Sequence, residues 1–112
     1  MTTYTVPYPP SANRFWRNYH GQVVKSHTAK AFAEEVGWLM RKAGVMPIEG
    51  DVALYVTVYS PTRRRDLDNC AKALCDALQG HVYDNDNQIV ELHMWRIVDK
   101  HKPRVEFRVE KL

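Results

Sequence analysis

Between Thr28 and Ala43 the apolar residues Phe32, Val36, Leu39, Met40 and Ala43 recur at spacings of three and four, with Lys30, Glu34, Glu35, Arg41 and Lys42 between them. That period predicts an amphipathic helix, capped by Ser26 or Thr28 and stopped by Gly44 and Pro47. Val52 to Tyr59 instead alternate between an aliphatic face and a small or aromatic face, as a central strand does. Leu67, Ala71, Leu74 and Leu78 mark a second helix, closed by Gly80. Gln88 to Val98 is extended, Asp99 to Pro103 reverses the chain, and Val105, Phe107 and Val109 alternate with charges in a last strand. At the start, Thr3 to Val6 alternate until Pro7, Pro9 and Pro10 interrupt them, and Ser11 to Val24 reads as a loop with room for a small hairpin. The order predicts one α+β domain over residues 1–112, a mixed or largely antiparallel sheet covered by two helices.

A chain of 112 residues builds one core and leaves much surface exposed. Three Trp, six Tyr and three Phe therefore leave room for an interface beside a core, which keeps dimerisation open. Trp38, Met94 and Trp95 fall in regular elements and read as core or dimer contacts, whereas Phe15 and Trp16 fall in the loop beside Asn13 and Arg14. A net charge of +3 and a pI near 9.0 permit a polyanionic partner without requiring one. No run approaches the roughly 18 apolar residues of a membrane span, and the polar start lacks a signal segment, so the expected location is cytoplasmic. Cys70 and Cys75 sit five apart on one predicted helix, pointing away from each other as reduced thiols, and the five histidines share no ligand spacing.

The chemistry-bearing residues cluster around the second helix. Asp66 is the natural N-cap and Asp68 lies in the first turn, and both can be explained by the helix dipole alone. Lys72, four residues after Asp68, is on the same face and in isolation would be a surface ion pair. Asp84, Asn85, Asp86 and Asn87 form a polar loop before a strand, in isolation a solvated turn. Arg63, Arg64 and Arg65 abut the first acids, where a charge run is most simply a solvated face. Taken together they suit one task, because carboxylates are the hard oxygen ligands Mg²⁺ takes and arginines hold phosphate backbones.

The run Arg63-Arg64-Arg65-Asp66-Leu67-Asp68-Asn69, then Lys72-Ala73, Asp76-Ala77-Leu78 and Asp86-Asn87-Gln88-Ile89-Val90, resembles the core signature of the RusA family of Holliday junction resolvases. Pro9-Pro10-Ser11-Ala12-Asn13-Arg14 resembles that family's N-terminal motif. The resemblance implies a homodimeric endonuclease that nicks four-way DNA junctions in recombination and repair using Mg²⁺ or Mn²⁺. It implies Asp66, Asp68 and Asp86 as catalytic, metal-binding acids and Lys72 as the essential lysine; Asn13, Arg14, Arg63, Arg64, Arg65 and Asn69 are the residues expected to contact the DNA. The chain departs from the family in carrying Asn85-Asp86 where two aspartates are frequent, with Asp84 one position earlier. The expected site brings a helix start and a strand start side by side, three carboxylates around one or two metal ions.

Rival readings separate on the same residues. A metal-binding Asp-x-Asp of a sugar transferase has too little chain here for a nucleotide-sugar and an acceptor site. A calcium loop from Asp84 fails because its sixth position is Ile89 and its twelfth Trp95. The alternative from another class is a protein that binds structured DNA without cutting it, its metal site slowed by Asn85.

Overall fold

The fourth strand, β4 (Val52–Ser60), is the axis of the fold, with Val52, Leu54, Val56 and Val58 buried on one face and Tyr55, Thr57 and Tyr59 half-buried on the other. The computed structural model describes residues 2–10, 16–19, 22–25, 27–64 and 66–112. β4 pairs in parallel with β5 (Ile89–Val98) and antiparallel with β6 (Arg104–Lys111), which in turn pairs antiparallel with β1 (Tyr4–Pro7). The resulting sheet is mixed, in the order β1-β6-β4-β5. A separate antiparallel ribbon, β2 (Trp16–Tyr19) with β3 (Gln22–Lys25), is the expected small hairpin, one residue longer than anticipated.

Two helices, α1 (His27–Lys42) and α2 (Leu67–Leu78), pack on each other. Phe32, Val36 and Met40 of α1 join Leu74 and Leu78 of α2 in one core with Val6, Val105, Phe107 and the aliphatic face of β4. Each such large side chain contributes about 1.5–3 kcal/mol by leaving water. α1 closes with Gly44 at φ 75°, where Gly44 N–H donates to Arg41 O and Val45 N–H to Met40 O, so the last carbonyls are satisfied across a left-handed residue. Thr28 lies inside α1 rather than capping it, and Ser26 is outside the described residues.

The reversal at Asp99–Pro103 is present but makes no hairpin. Asp99 carboxylate oxygens accept from His101 N, Lys102 N and Arg104 Nη1, and Asp99 N–H donates to Ser60 O at 2.8 Å. The turn thus passes over the end of β4, leaving β5 and β6 on opposite sides of it. The backbone N–H of Lys102 is the main reason the Asp99 carboxyl titrates below its ordinary value.

The C-terminal end of α2 is held by Tyr83. Gln79 N–H donates to Asp76 O, and the Cys75 carbonyl takes the Tyr83 hydroxyl instead, at 2.7 Å. Burial pushes the Tyr83 hydroxyl well above its usual range and the Cys75 thiol up to about 11, so both are protonated at neutral pH. Cys70 and Cys75 are free thiols. Tyr83→Phe removes the donor from an otherwise orphaned helix carbonyl and is expected to cost about 1–3 kcal/mol, read as a shift in the urea unfolding midpoint.

Candidate active site

The chain leaves β4 at Ser60, whose hydroxyl donates to Thr62 O at 2.6 Å, and Thr62 Oγ1 accepts from Arg64 N–H. Arg96, on β5 opposite Val58, donates from Nη1 to Arg63 O at 3.1 Å, tying the arginine loop to the sheet. Arg63 and Arg64 are exposed, and Arg63, Arg96 and Val98 line a hollow of about 510 Å³. Asp66 is the N-cap of α2, as expected, its Oδ1 accepting from Asp68 N–H at 3.1 Å. Capping occupies one oxygen of Asp66 and leaves the other available.

Asp68 is exposed in the first turn, Asn69 is half-buried, and Lys72 is exposed one turn deeper. Among the described residues Lys72 forms no ion pair with Asp68, so the simple surface-pair explanation of that spacing does not hold. An uncommitted acid and an uncommitted cation share one helical face.

Asp86 begins a 3-10 turn, Asp86–Gln88, which runs straight into β5. Asn85 caps that turn by accepting from Asn87 N–H at 3.0 Å, and Gln88 closes the reciprocal capping box. The Asp86 carboxylate is exposed and makes no hydrogen bond or ion pair among the described residues.

The expected meeting of a helix start with a strand start does not occur within one chain. β4 and β5 are parallel, so α2 has to carry the chain from the C-terminal end of β4 back to the N-terminal end of β5. Asp66 and Asp68 stand at the first of those ends and Asp86 at the second, separated by twelve helical residues, about 18 Å at the usual rise. Among the described residues no three His, Cys, Asp or Glu side chains are grouped to hold a metal. The donors fit a hard divalent cation chemically, being exposed carboxylates with free oxygens, but as a pair and a single acid. Asn13, Arg14 and Arg65 lie outside the described residues.

Strand β5 is also the free edge of the sheet. Five of the eight large apolar side chains left exposed among the described residues are on it: Val90, Leu92, Trp95, Ile97 and Val98. Trp95 is 53 % exposed and Trp38 on α1 54 %, so neither belongs to the core of the single chain.

Sequence reasoning did not single out Gln79, Gln88 or Arg96. Gln88 was legible as the fourth residue of an Asn-x-x-Gln capping box, whereas Gln79 and Arg96 act through contacts that no local pattern encodes.

An α+β domain with exposed acids at both ends of a crossover helix, and arginines beside one of them, has the side chains of a protein that acts on a phosphodiester backbone. A family model for "Endodeoxyribonuclease RusA" matches residues 7–110. The crossover junction endodeoxyribonuclease RusA of Escherichia coli K12 is 30% identical over 117 residues, covering 100% of this chain and 98% of the relative. That of E. coli O139:H28 is 34% identical over 94 residues, covering 80% and 78%, and that of Enterobacteria phage 82 is 29% identical over 117, covering 100% and 98%. The chain belongs to the RusA endodeoxyribonuclease family.

Proposed function

We propose that this protein is a divalent-metal-dependent endonuclease that resolves four-way DNA junctions by paired, symmetric phosphodiester hydrolysis, acting as a two-fold homodimer. The observation that carries the reading is the distribution of acids: Asp66 and Asp68 at one end of α2 and Asp86 at the other, each exposed and next to uncommitted cations or open surface. Its relatives are named as crossover junction endodeoxyribonucleases.

The separation of the acids argues for two copies. If the β5 edges of two chains run antiparallel about a two-fold axis, the start of one β5 lies beside the end of the other, and the two α2 helices are antiparallel as well. Asp86 of one copy then comes to the end carrying Asp66 and Asp68 of the other, giving two equivalent three-acid sites. The exposed apolar side chains of β5 support the same arrangement, since a ten-residue edge strand that leaves five large apolar side chains open is an aggregation hazard.

Asp66, Asp68 and Asp86 would hold Mg²⁺ or Mn²⁺, which when bound supplies Lewis acidity toward the phosphate and a coordinated water of lowered pKa. Lys72 stabilises the charge gathering on the phosphate or protonates the departing 3′ oxygen. Arg63, Arg64 and Arg65, with Asn13, Arg14 and Asn69, hold the DNA backbone. Asn85 supports activity rather than its loss: its side-chain oxygen caps the turn as an aspartate there would, so the Asp86 geometry is kept. The free thiols suit a cytoplasmic setting.

A synthetic four-way junction incubated with protein and Mg²⁺ is expected to yield symmetric nicks in two strands and ligatable duplexes, with a linear duplex of the same sequence left intact. Tight junction binding without nicks in Mg²⁺ or Mn²⁺ would assign the chain to the non-cutting class instead.

A further inference from the structure

We propose that Gln88 and Gln79 are positioning residues for Asp86, two amides that clasp its turn and fix where its carboxylate stands. The inference rests on the assignment of Asp86 to the metal site above. Asp84, Asn85, Asp86 and Asn87 are all exposed, so no buried side chain among them anchors the turn. Hydrogen bonds have to do it.

The Gln88 side chain uses its full amide capacity for this. Its Oε1 accepts from Asp84 N–H at 2.8 Å and Asn85 N–H at 3.0 Å, and its Nε2 donates to Ile48 O and Gly50 O, both at 2.8 Å. Two donors and two lone pairs are thereby matched, in the one amide orientation that satisfies all four partners. The Ile48 end is itself held, since Ile48 N–H donates to Val82 O at 2.9 Å. Gln79 grips Asp86 directly, its Oε1 accepting from Asp86 N–H at 2.9 Å, while Asp86 O accepts from Ile89 N–H. Both main-chain polar groups of Asp86 are thus committed, one of them to the C-cap of the helix that carries Asp68 and Lys72.

The two glutamines differ in which atoms they use. Gln79 is used as an acceptor, so Gln79→Glu keeps its bond and Gln79→Met loses it. Gln88 is used at both ends, so Gln88→Glu turns a carboxylate oxygen onto two carbonyls and is as harmful as Gln88→Met. Outer-shell partners of metal ligands are worth about 10- to 100-fold in metal affinity or activity.

The test is Mn²⁺ binding to the DNA-free protein by calorimetry, with Mg²⁺ dependence of junction cleavage and Asp86 amide hydrogen exchange alongside. Gln79→Met, Gln88→Met and Gln88→Glu are expected to weaken Mn²⁺ about 10-fold or more and to speed exchange at the Asp86 amide, with metal-free junction binding unchanged. Gln79→Glu is expected to stay within about twofold of wild type, since it retains the acceptor. Wild-type Mn²⁺ affinity in Gln79→Met or in folded Gln88→Glu overturns the clasp. Should the Gln88 variants fail to fold, the pair at exposed Gln79 decides. Asp86→Asn separates the two levels: if it abolishes Mn²⁺ binding while the glutamine variants do not weaken it, only the clasp fails; if it leaves binding intact, the assignment of Asp86 and the clasp fall together.

Discussion

Asp68→Asn is expected to lower junction cleavage by at least about 100-fold in saturating Mg²⁺ while junction affinity stays equal or rises, because residues merely supporting a ligand already cost 10- to 100-fold. The substitution keeps the size of the side chain and removes its charge, so a metal held as proposed would lose a ligand while the arginine loop would keep the phosphate contacts proposed for it. One negative charge fewer beside the DNA also reduces repulsion. Fold stability should change little, because Asp68 is exposed, its backbone N–H remains bonded to Asp66 Oδ1, and its side chain has no partner among the described residues. Single-turnover cleavage and gel-shift titration on the same junction give both numbers. Wild-type cutting would remove Asp68 from the site.

Much of the fold was legible because α1, β4 and α2 each carry a clear period and clear stops. The neighbours of β5 were not. A parallel strand buried on both faces reads as a continuous apolar run, but β5 interleaves Glu91, His93 and Arg96 with its apolar residues, because it lies at the edge. The reversing turn at Asp99–Pro103 pointed to an antiparallel return directly beside it, whereas β4 lies between β5 and β6. The better clue lay in the connection: the stretch between Ser60 and Ile89 holds a whole helix, as a parallel crossover requires. That single misreading explains the site. Asp66, Asp68 and Lys72 were placed correctly relative to α2 by local rules alone, capping and the four-residue turn. The relation of Asp86 to them depends on strand direction, which local pattern does not encode.

Mixing two inactive proteins, Asp68→Asn and Asp86→Asn, is expected to restore cutting. With the acids at opposite ends of α2, a site shared across a two-fold axis takes Asp66 and Asp68 from one chain and Asp86 from the other. In a mixed dimer the Asp86→Asn chain supplies an intact Asp66-Asp68 pair and the Asp68→Asn chain supplies an intact Asp86, so one site is whole. The second site carries both substitutions and is dead. Random exchange of equal amounts makes half the dimers mixed, each with one working site of two, so activity should return to about a quarter of the wild-type site number. The product should be nicked in one strand and remain unresolved, since paired cutting needs both sites. Each variant alone, taken through the same denaturation and refolding, is the control. If the three acids instead act within one chain, every site in the mixture contains a substitution and no activity returns. Such a result, in mixtures verified by mass spectrometry to contain the mixed dimer, would exclude a site divided between subunits.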